Sequence, residues 1–192
     1  KEITVIPNII ELPKLEDNNM NKNYFVYAGR ISKEKGVKEL IEAFNKLNLK
    51  ETKLKIIGNG PDKNKLIKYN QNPNVEFIDF LPNEKILELI KNSIAVVTAT
   101  KLYEGQPTLL CEASMLGVPS IFPDTGGIKE FFPSNYKLKF EQFDYQDLKS
   151  KLLFLNNEKL LNEIGIENKN FLKSILDETM YINKFKSIID DE

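Results

Sequence analysis

The stretch YFVYAGRISKEKGVKELIEAFNKL, residues 24–47, decides the fold because its hydrophobic period changes in the middle. Its first five residues, 24–28, are aromatic, β-branched or small, which is typical of a buried strand. After a polar loop, apolar side chains recur at helical spacing, and these are Val37, Leu40, Ile41, Phe44 and Leu47. The stretch therefore predicts a strand, a loop and an amphipathic helix, which together form the repeating unit of a parallel sheet.

Further strands repeat this unit along the chain. They are predicted at TKLKIIG (52–58), NVEFIDF (74–80), IAVVTAT (94–100) and VPSIF (118–122). Helical patterns separate them, with Pro61 and Pro82 near two helix starts, where the missing N–H of proline does no harm. We predict an α/β fold with a doubly wound, Rossmann-like parallel sheet, and such sheets bind ligands at the carboxyl ends of their strands.

The two ends of the chain differ from this central pattern. We predict an entry or linker segment at 1–23, the sheet domain at 24–143, and C-terminal helices packed on it at 144–192, in pieces near 144–155, 157–176 and 178–189. The polar stretch 16–23 is the best boundary candidate. The chain begins KEITVIPNII, with neither an initiator Met nor a signal peptide, so we expect a piece of a longer protein.

Composition excludes several classes of function. The 192 residues include 27 basic and 28 acidic side chains, so a net charge of -1 gives no reason to expect nucleic acid as a partner. Histidine is absent, which excludes imidazole bases and histidine metal sites. No stretch approaches the roughly 20 apolar residues of a membrane span. The single cysteine, Cys111, cannot form an intrachain disulfide, which favours a cytoplasmic setting.

The loop GRISKEKG (29–36) is a candidate anion site. Gly29 lets the backbone turn after the first strand, and Arg30 and Lys35 place two cations beside the start of the next helix. A helix N-terminus adds about half a positive charge, so the loop suits a diphosphate. The alternative is an ordinary solvated loop.

The loop GNGP (58–61) resembles the start of a dinucleotide fingerprint, but Lys63 stands where the third glycine is needed. We interpret it as a structural turn that passes close to a ligand or to neighbouring backbone. A nicotinamide dehydrogenase is accordingly disfavoured.

The segment EGQPTLLCE (104–112) has a carboxylate at each end of a stretch whose middle is apolar. Pro107 suits the first residue of a helix, and the exposed N–H groups of 105–108 can bind an anion. Leu109 anchors the helix to the sheet, so Glu104 and Glu112 can face one crevice at different depths. The alternative is two solvated surface charges. The glycines of the later loop DTGGIKE (124–130) permit close backbone approach or positive φ, although a tight turn explains them equally well.

Taken in series, residues 3 to 132 resemble the retaining nucleotide-sugar glycosyltransferases with the GT-B fold. The segments that carry the resemblance are VIPN, AGRISKEKGVKELIEAF, LKIIGNGP, NVEFIDFLPNEKILELIKNSIAVVTAT, EGQPTLLCEASMLGVPSI and TGGIKE. The fifth matches the family's pair of glutamates separated by seven residues. The resemblance implies that residues 24–143 are the nucleotide-sugar-binding domain, the C-terminal half of a GT-B enzyme whose N-terminal domain is not in this chain.

The family resemblance also implies roles for individual residues. Arg30 and Lys35 would hold the donor diphosphate, Glu104 would face the donor sugar, and Glu112 would bind the ribose. The three residues implied in catalysis are Glu104, Arg30 and Lys35. Residues implied in donor binding are Gly29, Arg30, Lys35, Phe80, Leu81, Glu104, Gly105, Gln106, Pro107, Thr108, Leu109 and Glu112, with Phe80 and Leu81 bordering the nucleobase. No metal and no other cofactor is expected.

The expected function is thus donor binding in an enzyme that transfers a sugar from a UDP- or GDP-sugar, with retention, to a surface saccharide or glycolipid. We expect that enzyme to be cytoplasmic or peripheral to the inner face of the membrane. The chain alone is expected to bind donor without efficient turnover. The alternative is a non-catalytic nucleotide-binding or assembly module of the same fold. Two departures from the family pattern put donor identity in doubt: Asp79 and Phe80 follow the third strand in place of a glycine, and Gln106 and Pro107 replace an aromatic residue and a glycine.

Overall fold

The computed structural model describes residues 6–15, 22–154, 157–177, 179, 182, 185 and 186. Within these residues, six parallel strands form one sheet in the order β3-β2-β1-β4-β5-β6. The strands are β1 (Tyr24–Ala28), β2 (Lys53–Ile57), β3 (Val75–Ile78), β4 (Ala95–Val97), β5 (Ser120–Pro123) and β6 (Lys139–Phe140). The predicted doubly wound α/β fold is confirmed.

Helices connect the strands and cover the sheet. The α-helices are α1 (Val37–Asn45), α2 (Lys63–Tyr69), α3 (Asn83–Lys91), α4 (Thr108–Met115), α5 (Tyr145–Leu153) and α6 (Glu158–Ile175), and 3-10 turns lie at Lys33–Lys35 and Ile128–Phe131. The predicted helix after β1 is confirmed, with Val37, Leu40 and Ile41 fully buried against the sheet.

The centre of the sheet is the most deeply buried part of the molecule. Phe25 and Val26 of β1 pair with Ala95 and Val96 of β4, and all four are at most 1% exposed. Strands buried on both faces need apolar residues at successive positions, which is why these segments show no alternation of polar and apolar residues. Outward from this central pair, β2 and β3 follow β1 on one side of the sheet, and β5 and β6 follow β4 on the other. The chain therefore reverses its direction of winding between β1 and β4, where doubly wound sheets bind their ligands.

Several element boundaries differ from the sequence predictions. β4 spans only Ala95–Val97 because the chain leaves the sheet after Thr98, whose N–H still donates to Ile121. Pro107 precedes α4 as its N-cap and is not its first residue, and α2 begins at Lys63, two residues after Pro61. The two-residue strand β6 was not predicted because it is too short for a periodic pattern. Most of the predicted helix at 178–189 lies outside the described residues.

The C-terminal helix α6 packs on α4, the helix that begins within the segment 104–112. A Cβ at Gly165 would lie 2.1 Å from the Gly117 carbonyl oxygen, so only glycine permits this approach. The Asn168 amide donates to the Ser114 hydroxyl in the same buried interface. Leu172 of α6 is fully buried, as expected of ordinary core packing. The domain boundaries predicted from sequence, at 23/24 and 143/144, stay predictions.

Candidate functional site

A cavity of about 300 Å³ opens at the carboxyl ends of β1 and β4. Its lining residues are Tyr27, Ala28, Gly29, Arg30, Lys35, Val97, Thr98, Thr100, Glu104, Gln106, Pro107, Thr108, Leu109, Leu110 and Ile128. The two candidate loops, 29–36 and 104–109, therefore share one cavity although they are far apart in sequence. It lies where the winding of the sheet reverses, as expected of a ligand site in this architecture.

The first loop is held by the backbone and by one tyrosine. Gly29 donates to the Ile57 carbonyl at 3.0 Å, and the Tyr27 hydroxyl donates to the Arg30 carbonyl at 2.7 Å. Burial, followed by the nearby charges of Glu104 and Glu34, raises the pKa of Tyr27 above its usual range, so its hydroxyl stays protonated and works as a fixed donor. The Arg30 side chain is exposed at the cavity rim.

Lys35 and Glu104, two of the three residues predicted to act in catalysis, form an ion pair. Lys35 Nζ lies 2.6 Å from Glu104 Oε1, and the Thr100 hydroxyl donates to the same oxygen at 3.0 Å. Both charged side chains are a little over a quarter exposed, so solvent screens the pair only in part. Glu104 is thus a neutralised acceptor with a defined position.

The glycine-rich loop after β5 fixes the backbone of Glu104. Gly127 donates to the Glu104 carbonyl at 2.8 Å, and Gly126 adopts φ +59°. A Cβ at Gly126 would meet the Glu104 carbonyl oxygen at 2.4 Å. The close backbone approach and the positive φ, both anticipated for this loop, are present.

The first residues of helix α4 form part of the cavity wall. Its first internal hydrogen bond runs from Cys111 N to the Pro107 carbonyl at 3.0 Å, so the N–H groups of Thr108, Leu109 and Leu110 precede the helical ladder. Pro107 provides no side-chain cap. These three donors and the helix dipole favour an anion at this end of the cavity.

Glu112 lies apart from Glu104. It is 9% exposed, accepts a hydrogen bond from the Asn83 amide at 3.0 Å, and is not among the described residues that line the cavity. Glu104 lines this cavity, whereas Glu112 lies beside the start of α3, and the expectation that both acids face one crevice stays a prediction. The ribose-binding role of Glu112 likewise stays a prediction.

Phe80, Leu81 and Gly105 also lie outside the described lining of this cavity. Phe80 is 74% exposed, and Leu81 is partly buried against the core. Their predicted contact with donor stays a prediction.

Close by, Lys63 bridges the ends of β2 and β3. Its Nζ hydrogen-bonds at 2.6–3.4 Å to Gly58, Asn59, Ile78 and Asp79.

Sequence reasoning missed several residues of the site. Thr98 and Thr100 directly follow a buried strand, and that position could have identified them. Tyr27 and Asn83 carry no comparable signal, since one is an ordinary aromatic of a strand and the other an ordinary helix-start residue. Cys111 is buried, and burial raises its pKa to about 12, so this thiol packs against its neighbours and is not a nucleophile.

In the part of the chain that the structure describes, no cluster of three or more acidic, cysteine or histidine side chains is arranged to hold a metal. Over the same residues, no helix is both long enough and apolar enough to cross a membrane. Whether the reaction uses a metal stays a prediction from the family resemblance.

Comparison with known proteins identifies relatives of this chain. The sequence model of the family described as Glycosyl transferases group 1 matches residues 8–171. The chain is 31% identical over 166 residues to the capsular polysaccharide biosynthesis glycosyltransferase CapM of Staphylococcus aureus, covering 78% of this chain and 43% of that one. It is 29% identical over 175 residues to the putative teichuronic acid biosynthesis glycosyltransferase TuaC of Bacillus subtilis, covering 82% and 42%.

Solved structures share the fold. The crystal structure of TarM aligns with a TM-score of 0.81 at 22% identity, over 94% of this chain and 37% of TarM. A TarM mutant of S. aureus has been solved with fondaparinux, alpha-GlcNAc-glycerol and UDP. Anabaena HepE in complex with UDP aligns with a TM-score of 0.78 at 15% identity, over 90% of this chain and 50% of HepE.

Proposed function

This chain belongs to the glycosyl transferases group 1 family, as a C-terminal domain of the GT-B type, and we propose that it binds the donor in transfer of a sugar from a nucleotide diphosphate sugar, with retention, to an acceptor. The chain spans between 37% and 50% of the length of the curated relatives it matches. Donor binding without efficient turnover is therefore the activity proposed for this chain by itself, with the N-terminal domain of the full enzyme supplying acceptor contacts.

The observation that carries the proposal is the shared cavity of Arg30, Lys35, Glu104 and the start of α4. Two cations and the N–H groups of Thr108 to Leu110 suit a pyrophosphate, which needs several donors converging on adjacent oxygens. Glu104 stands within the same cavity, where its carboxylate can accept hydrogen bonds from sugar hydroxyls.

The chemistry follows from these charges. A nucleotide diphosphate leaves when its developing negative charge meets preorganised donors, and each such donor contributes about 3 kcal/mol in comparable sites. Lys35 and Arg30 supply positive charge, and Glu104 supports the positive charge that develops on the donor sugar. With no histidine in the chain, the phosphate of the donor is the proposed acceptor of the proton from the incoming hydroxyl.

UDP is the proposed nucleotide, because HepE and TarM have both been crystallised with UDP. GDP is the second choice. The names of CapM and TuaC concern capsular polysaccharide and teichuronic acid, which supports a cell-surface saccharide or glycolipid as acceptor. We propose that the full enzyme works in the cytoplasm or at the inner face of the membrane.

Calorimetry and thermal shift with UDP, UDP-sugars and GDP test the proposal on this chain. A nucleotide at 100 times its dissociation constant should add about 2.7 kcal/mol to the free energy of unfolding. Lys35→Ala should weaken binding at least tenfold, whereas Lys38→Ala should not, since Lys38 lies on the exposed face of α1 beside Glu42. Absence of binding by every nucleotide would refute the proposal. Binding by a full-length enzyme that transfers no sugar would favour the non-catalytic module.

A further inference from the structure

The side chain of Gln106 forms two hydrogen bonds with the backbone of a single residue 98 positions earlier. The N–H of Asn8 donates to Gln106 Oε1 at 2.6 Å, and Gln106 Nε2 donates to the Asn8 carbonyl at 2.9 Å. Only one orientation of the amide satisfies both bonds, so the pairing also fixes which end of the side chain is oxygen. The geometry imitates a rung of a β-ladder, with a side chain in place of one strand.

Gln106 is at the same time part of the cavity wall. It lies two residues after Glu104 and directly before Pro107, so the turn that carries it also presents Glu104 and the first N–H groups of α4. The two hydrogen bonds of Gln106 therefore attach this turn to the backbone of Asn8.

Asn8 belongs to a segment that follows the surface of the domain. Ile10, Leu12 and Leu15 pack partly against the core, and Lys91 Nζ donates to the Leu15 carbonyl at 3.2 Å. The segment 6–15 is therefore attached at its far end by α3 and near its start by the cavity loop.

We infer that Gln106 is a positioning residue that couples occupancy of the cavity to the backbone of residues 6–10. This inference rests on the proposed function, because a nucleotide is the ligand that would occupy the cavity. A ligand that orders the turn 104–107 strengthens both hydrogen bonds to Asn8. Loss of those hydrogen bonds weakens the binding of the ligand by the same factor, because coupling between two sites is reciprocal.

Hydrogen exchange of the Asn8 amide and calorimetry with UDP test the coupling. In the parent chain, UDP should slow exchange of the Asn8 amide. Gln106→Met keeps the length of the side chain but removes both hydrogen bonds. The Asn8 amide should then exchange about tenfold faster and no longer respond to UDP, and the affinity for UDP should fall about fivefold. Gln71→Met makes the same substitution at the opposite edge of the sheet and should change neither quantity.

A second variant tests the coupling from outside the cavity. Asn8→Pro removes the donor N–H from the segment without touching the cavity wall, and it should also weaken UDP severalfold. UDP affinity equal to the parent in Asn8→Pro, or an Asn8 amide in the parent that does not respond to bound UDP, would overturn the coupling and leave donor binding intact. Failure of any nucleotide to bind the parent would instead overturn the proposed function and the coupling together.

Discussion

Lys35 Nζ lies 2.6 Å from Glu104 Oε1, which joins two loops 69 residues apart into one side of the cavity. In the structure each neutralises the other, and the Thr100 hydroxyl donates a second hydrogen bond to the same Glu104 oxygen. A diphosphate that binds here competes with Glu104 for the ammonium of Lys35. Under the proposed function, Lys35 would exchange Glu104 for the diphosphate as its partner, and Glu104 would then be available to the donor sugar.

Glu104→Gln should strengthen the binding of UDP by about fivefold, because it removes a negative charge worth about 1 kcal/mol beside the diphosphate and frees Lys35. In a full-length enzyme, the same variant should lose sugar transfer, since the carboxylate proposed to face the donor sugar is gone. Calorimetry with UDP measures the first effect, and Glu51→Gln, at the opposite edge of the sheet, is the matched control. Weaker UDP binding in Glu104→Gln would contradict the competition.

Gly126→Ala should lower the free energy of unfolding by about 2 kcal/mol. A side chain at φ +59° is itself strained by about 1 to 2 kcal/mol, and the new Cβ would press on the Glu104 carbonyl. Gly105→Ala is the control, since nothing lies within 4 Å of its Cβ position, and it should change stability by less than about 0.5 kcal/mol. Equal urea midpoints for the two variants would show that the glycine-rich loop does not hold Glu104.

Lys63→Met should destabilise the domain by about 2 kcal/mol, because a side chain only 12% exposed donates to the Gly58 and Ile78 carbonyls and pairs with Asp79. Methionine keeps the apolar contacts of the stem and removes the donors. Lys65→Met, on the exposed side of the same helix, should be neutral. Urea denaturation compares the two, and a neutral Lys63→Met would mean that water replaces the lysine at the strand ends.

Asp124→Asn should destabilise the chain by about 1 kcal/mol at pH 7, and this difference should disappear as the pH falls through the lowered pKa of Asp124 in the folded chain. Hydrogen bonding to Lys139, with further help from the charges of Lys139 and Lys129, holds the pKa of Asp124 below its ordinary value of 3.8. A depressed pKa adds stability above the unfolded value, and that stability is lost as pH falls through the folded value. Denaturation of parent and variant across this range measures the difference, and a pH-independent difference would refute the assignment.

Much of the fold is local in origin, and the sequence predicted it. β1 occupies residues 24–28 as expected, and α1 begins at Val37, because an apolar run and a helical stripe are properties of neighbouring residues. The residues of the two cavity loops were found in the same way, since loops after buried strands of a parallel sheet end at one edge. The short strand β6 escaped because two residues carry no period.

Only the tertiary structure decided which of these groups meet. Sequence could not pair Lys35 with Glu104, or Gln106 with Asn8, because both contacts depend on strand order and on loop paths. Nor could it pair Glu112 with Asn83, because that hydrogen bond depends on how α4 packs beside the start of α3. The physical reason is that a residue's local pattern fixes the element it joins, while its partners are set by how the elements pack.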